Sequence, residues 1–214
     1  MAVTTAVFFD VANTLLCKPG LYGAIAGVLA ERAIEIPTDD LAMRHRLLSE
    51  AVNFPDRTSV EFYERFNAQL LRSLGVAADA ELVRAIHRAC NYLPWAPFAD
   101  VSYLKSLRQP IGVLSNWDRS LPDHLRTLTG IPFRWILGSE EHSMRKPDPA
   151  FYALMLEAAD CPAGEIVYVG DSIALDIEPA QRLGVRAWLL DRDDLYAHGN
   201  LPRLRSLAEI ESVL

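Results

Sequence analysis

Five short apolar runs, each stopped by glycine, proline or polar residues, constrain this chain more than any other feature. They are Ala6 to Phe9, Ile111 to Leu114, Phe133 to Leu137, Ile166 to Val169 and Val185 to Leu190. Each is rich in β-branched or aromatic residues. Such continuous runs are strands buried on both faces, as in a parallel sheet covered by helices. Helical patterns separate the later ones: Leu121 to Thr129, Pro149 to Ala159 and Asp176 to Leu183. Gly184 stands where a helix C-terminus stops. Strand alternating with helix predicts a doubly wound α/β fold with a parallel sheet and right-handed crossovers.

The interval from about Leu16 to Pro97 has almost no strand pattern. Leu21 to Ile34, Thr38 to Val52, Ser59 to Leu74 and Asp79 to Ala89 read instead as amphipathic helices. Thr38 followed by Asp39 and Asp40 looks like a helix start. An insert of this length is too long for a simple crossover and points to a helical cap. The expected division is a core of residues 1–16 and 98–214 with a cap at 17–97. A chain of 214 residues, half of them hydrophobic, is large enough for both.

The formal charge of -7, with basic residues scattered, argues against a nucleic-acid partner. A phosphate ester can still bind locally. The three cysteines, Cys17, Cys90 and Cys161, form neither a zinc pair nor a disulfide framework, and read as reduced thiols of a cytoplasmic protein. The first apolar run lacks a charged leader and is broken by Asp10, unlike a signal peptide. No stretch approaches the roughly 20 apolar residues of a membrane span.

In open α/β sheets, ligands bind beyond the carboxyl ends of the strands. Four of the five strand ends carry residues suited to a phosphate or a metal. The first is followed by Asp10-Val-Ala-Asn-Thr-Leu and the second by Ser115-Asn-Trp-Asp118. The third leads through Gly138-Ser-Glu-Glu to Arg145-Lys-Pro-Asp148, and the fourth to Gly170-Asp-Ser and then Asp176. Taken singly, each has a plain alternative. Asp10 could be a turn residue, Ser115 a helix cap, Lys146 a solvated loop lysine and Asp176 a helix-start residue. Asn116 and Asp118 could simply shape their loop.

Taken in order, the four segments resemble the haloacid dehalogenase superfamily, over the whole chain. Phe9-Asp10-Val-Ala-Asn-Thr14-Leu15 is similar to its first motif, whose aspartate attacks the substrate. Leu114-Ser115-Asn116 resembles the second, whose hydroxyl binds the phosphoryl group, with Asn116 a further phosphate-binding candidate. Lys146 before Pro147 resembles the third, whose lysine neutralises nucleophile and phosphate. Gly170-Asp171-Ser172 with Asp176 resembles the fourth, whose acids support Mg²⁺. The resemblance implies a hydrolase of a small phosphorylated metabolite, working through an aspartyl-phosphate. It implies Mg²⁺ held by Asp10, Asp171 and the Ala12 carbonyl, with Asp176 either a direct ligand or a support. Asp10, Lys146 and Ser115 would be the catalytic group.

The pattern breaks at Ala12. Family phosphatases usually carry there a second aspartate that protonates the leaving group and then activates water. Alanine cannot transfer a proton, a service worth ~10²–10⁴-fold in rate. Four explanations stay open. The substrate has a good leaving group, or the cap supplies the acid, with His45, Glu64 and His87 as candidates. The chain resembles phosphonoacetaldehyde hydrolase, whose required cap lysine could here only be Lys18, at the insert's edge. It is a dehalogenase, although those generally lack the Gly-Asp pair kept at Gly170-Asp171. Or it is a silent binding or scaffold protein on an enzyme fold.

Overall fold

The computed structural model describes residues 3–52, 54 and 58–214. The chain separates into two compact units: Met1–Cys17 with Ala96–Leu214, and Lys18–Trp95.

In chain order, the first unit begins with β1 (Ala6–Phe9) and β2 (Leu16–Cys17). The second unit is helical: α1 (Leu21–Ala30), α2 (Thr38–Ala51), α3 (Val60–Ser73) and α4 (Ala80–Cys90). The first unit then resumes with β3 (Ala96–Pro97), β4 (Ile111–Ser115), α5 (Leu121–Thr129), β5 (Trp135–Gly138) and α6 (Ser139–His142). It ends with α7 (Pro149–Ala159), β6 (Ile166–Gly170), α8 (Glu178–Arg182), β7 (Arg186–Leu190) and β8 (Arg203–Leu204).

Six strands form one parallel sheet in the order β5-β4-β1-β6-β7-β8. β1, β4 and β6 are buried along their whole length, as their unbroken apolar runs require. β1 lies between β4 and β6, where the winding of the sheet reverses, so the ends of these three strands converge on one crevice. Phe8, Leu114, Tyr168 and Leu189 pack with Phe151, Tyr152 and Met155 of α7 on one face. Gly112 on β4 has no room for a side chain, since a Cβ there would lie 2.3 Å from the Phe8 ring.

The helical unit has its own core of Ile25, Leu29, Leu41, Leu70, Leu71, Leu82, Val83 and Ile86. Ser59 caps α3 by accepting the Phe62 N–H at 3.1 Å, and Asp79 caps α4 by accepting the Leu82 N–H at 2.8 Å. Among the described residues, no helix is long and apolar enough to cross a membrane.

Several boundaries differ from the sequence reading. α1 stops at Ala30 rather than Ile34, because the chain turns through Ala33 at φ +56° and then faces Pro37. β5 starts at Trp135 rather than Phe133. Pro132 has no N–H, and the Phe133 N–H closes a turn onto Ile131. The helix expected from Asp176 is instead a π-helical turn, Ile173–Ile177, followed by α8. The antiparallel β2–β3 pair and β8 carry no hydrophobic run and were not expected.

Gly112→Ala is expected to cost about 1–3 kcal/mol, as overpacked core sites do. Gly164→Ala, with open space around the new Cβ, should stay within about 0.5 kcal/mol of wild type. Urea unfolding of both variants measures the difference, and equal stabilities would contradict this packing.

Candidate functional site

Strand ends or the segments that follow them deliver each expected side chain. Asp10 follows β1 and Ser115 is the last residue of β4. Lys146 lies on the segment between β5 and α7, and Asp171 follows β6. Asp176 lies in the π-helical turn, a distortion common at functional sites. Asp10, Ser115, Lys146 and Asp176 are buried, and Asp171 is half-buried.

The centre is the Lys146 ammonium. It donates to Asp10 Oδ1 and to Asp176 Oδ1, each at 2.6 Å. Ser115 Oγ donates to the same Asp10 oxygen at 3.0 Å. Asp10 is therefore held in orientation from two sides through one oxygen. Burial pushes its carboxyl above the usual range; Lys146 opposes this, while the Asp176 charge adds to it. Burial alone would weaken the charge on Lys146. The Asp10 and Asp176 carboxylates more than reverse that, and its pKa lies above the ordinary 10.5.

Carboxylate oxygens of Asp10, Asp171 and Asp176 all lie within 4.8 Å of one another. This donor set suits a hard divalent cation, which takes oxygen ligands and keeps some water. Two of the three, Asp10 and Asp176, share the Lys146 ammonium.

The structure also shows how these groups are held. Asn116 engages the Lys146 main chain with both ends of its amide: Nδ2 donates to the carbonyl at 3.0 Å, and the Lys146 N–H donates to Oδ1 at 2.8 Å. Its amide thus sets the lysine loop. Asp118 accepts from the Ser120 N–H and hydroxyl and shapes its own turn. Ala12 pairs with Leu16 through the Val11 carbonyl and the Asn13 N–H. That pairing leaves the Ala12 carbonyl out of the ladder. Asn13 adopts the left-handed conformation, φ +59°, which asparagine tolerates better than most residues.

Two of the plain alternatives fall. Lys146 is not solvated. Ser115 does not cap the next helix, since α5 begins at Leu121. Asp176 does lie in the first turn of a helical segment, the π-helical turn, but it is buried and fully engaged there. Besides Lys146, it accepts from the Tyr168 hydroxyl at 2.9 Å and, through Oδ2, from the Ser172 N–H at 3.0 Å. Gly170 makes room for it, because a Cβ there would lie 2.3 Å from Asp176 Cγ.

Sequence reasoning passed over three residues. Tyr168 reaches Asp176 and lies 3.4 Å from Lys146 Nζ, and Thr14 donates to Asp171 Oδ1 at 3.3 Å. Tyr152 donates to the Leu175 carbonyl, pinning the π-helical turn. Both tyrosines sit inside apolar runs, where a phenol cannot be told from a plain core aromatic. In the helical unit, His45 lies against the Tyr22 and Phe66 rings. Burial, with Arg46 adding to it, lowers its pKa to about 4, so it carries no proton to donate near neutrality. His87 lies against Tyr63, and Glu64 lines a groove of about 530 Å³ with Arg65 and Arg72.

A sequence profile described as haloacid dehalogenase-like hydrolase matches residues 4–184. The haloacid dehalogenase-like hydrolase domain-containing protein 3 of Danio rerio is 37% identical over 139 residues, 60% of this chain and 57% of that protein. The chain thus spans less than two thirds of that relative. A phosphoglycolate phosphatase of Yersinia pseudotuberculosis is 28% identical over 182 residues, 83% of this chain and 77% of its own. The crystal structure of a 2-haloacid dehalogenase from Pseudomonas syringae superposes with a TM-score of 0.55. It is 26% identical and covers 99% of this chain and 98% of that one.

Lys146→Met strands two buried carboxylates and is expected to cost about 3–5 kcal/mol. Folding raises the lysine's pKa above 10.5. Its contribution is therefore fully present below 10.5 and lost as pH climbs through the folded value. Urea unfolding should show a gap between wild type and variant that holds from about pH 9 to 10 and narrows above 10.5. A gap that widens there would contradict the ion pairs.

Proposed function

The chain belongs to the haloacid dehalogenase-like hydrolases, and within that family we propose that it is a Mg²⁺-dependent phosphatase of a small phosphorylated metabolite. The observation that carries this reading is the convergence of Asp10, Asp171 and Asp176, the first and last of them paired with Lys146. Asp10 and Asp171 would hold the ion together with the Ala12 carbonyl. Asp176, already committed to Lys146, Tyr168 and Ser172, suits the supporting role better than direct ligation. A bound Mg²⁺ would supply charge neutralisation between an anionic nucleophile and an anionic substrate.

In this reading an Asp10 carboxylate oxygen attacks phosphorus, and the bond from phosphorus to the leaving oxygen breaks. The leaving group departs with the electron pair, and an aspartyl-phosphate forms. Ser115 and Lys146 steady the charge on the transferring oxygens. Water then attacks the same phosphorus, the bond to the Asp10 oxygen breaks, and phosphate leaves carrying the water's protons while Asp10 is restored as a carboxylate. Ala12 can neither protonate the leaving group nor take a proton from the attacking water. Good leaving groups, acyl phosphates above all, are therefore the favoured substrates, because a departing carboxylate needs no proton. His45, whose charged form is disfavoured by burial and by Arg46, is a poor replacement acid. The helical unit, Lys18–Trp95, would serve as the cap that selects the substrate.

Haloacid dehalogenation is the second reading. The Pseudomonas relative and the alanine at position 12 favour it. Asp171, the third carboxylate of the trio, favours the first, since metal-free chemistry gives it no task.

Phosphate release from acetyl phosphate, phosphoglycolate and p-nitrophenyl phosphate, with and without Mg²⁺, tests the proposal. Turnover of acetyl phosphate should require Mg²⁺ and vanish in Asp10→Asn. Ala12→Asp should raise turnover of phosphoglycolate, a poorer leaving group, by about 10²-fold. Metal-independent halide release from 2-chloropropionate would favour the second reading. Inactivity on all of these would favour a silent ligand-binding protein.

A further inference from the structure

Arg192, in the loop after β7, lies beyond every motif that the family reading uses. Asp191 fixes that loop by accepting the Leu195 N–H at 2.8 Å, the Tyr196 N–H at 2.9 Å and Arg203 Nη1 at 2.7 Å. The Arg192 guanidinium then crosses to the segment after β1. One nitrogen donates to the Thr14 carbonyl at 2.9 Å and the other to Asp100 Oδ2. The plane lies over the Phe98 ring, 4.1 Å from its centre. The same Asp100 oxygen accepts the Ser206 hydroxyl at 2.8 Å and the Leu207 N–H at 2.9 Å. Four stretches of the core thus meet at one cation.

Stability alone explains this pair poorly. Both side chains are only 13% exposed, yet Asp100 Oδ1 and Arg192 Nε are buried without a partner. A buried ion pair with unsatisfied atoms is a weak stabiliser, and what it secures is geometry. The residue whose carbonyl it takes is telling. The hydroxyl of Thr14, which is fully buried, donates to Asp171 Oδ1. On the other side of Thr14, the Leu15 carbonyl accepts the Phe98 N–H at 3.0 Å.

We propose that Arg192 is a positioning residue for the acidic trio, holding the Thr14 main chain so that the Thr14 hydroxyl orients Asp171. This rests on the reading of the trio as a divalent-cation site. Lysine cannot take its place, because a single ammonium lacks the planar fork that reaches Asp100 and Thr14 together.

The test is Mn²⁺ affinity, read by electron paramagnetic resonance of the free ion, which needs no substrate. Thermal unfolding is measured alongside. Arg192→Met should weaken Mn²⁺ binding about 10-fold, the usual effect of losing a group that orients a ligand. Arg192→Lys keeps a cation beside Asp100 and should melt close to wild type, yet still bind Mn²⁺ more weakly. In a Thr14→Val background the same Arg192 substitutions should change affinity by less than about 2-fold, because residues acting in series are not additive. Wild-type affinity in Arg192→Lys, or equal losses in both backgrounds, would overturn the assignment of Arg192 and leave the cation site standing. A wild-type protein that binds no Mn²⁺ would overturn the cation site, and the role of Arg192 with it.

Discussion

One buried ammonium organises this site. Lys146 is clamped by one carboxylate just after β1 and another in the π-helical turn, and both partners are buried. Taking such charges out of solvent is costly unless each is paired and hydrogen-bonded. Much of the surrounding detail serves that requirement. Asn116 holds the lysine's main chain, Ser115 shares its Asp10 oxygen, and Tyr168 bridges toward Asp176. Gly170 leaves the space in which Asp176 can stand.

The same arrangement explains why the trio reads as more than an acidic cluster. Acids alone at a surface are common. Here the carboxylates are brought together by a parallel sheet whose winding reverses at β1, which places the ends of β1, β4 and β6 side by side. Two of the three carboxylates share one ammonium, and the third accepts the Thr14 hydroxyl.

The sheet was readable because strands covered on both faces must be apolar throughout, and such runs stand out. Asp10, Ser115, Lys146 and Asp171 were readable because they follow those runs in order. Asp176 was named, but not its setting. A π-helical turn depends on how one carboxylate packs against Gly170 and Lys146, and no periodicity records that. Tyr168 and Arg192 were missed for opposite reasons. The tyrosine is hidden among core residues of β6, and the arginine follows the last long strand, away from any motif. The end of α1 was misplaced because the turn at Ala33 outweighed a helical pattern running on to Ile34. Asn116 was named both as a phosphate-binding candidate and as a loop-shaping residue, and its amide holds the Lys146 main chain.

Whether Asp10 and Asp171 share one divalent ion is the question on which the function turns. Anomalous scattering from crystals soaked in Mn²⁺ answers it directly. The account predicts a single strong peak about 2.0–2.3 Å from a carboxylate oxygen of each, with Asp176 behind them. A fully soaked crystal with no peak there, or with the ion bound elsewhere, would contradict it.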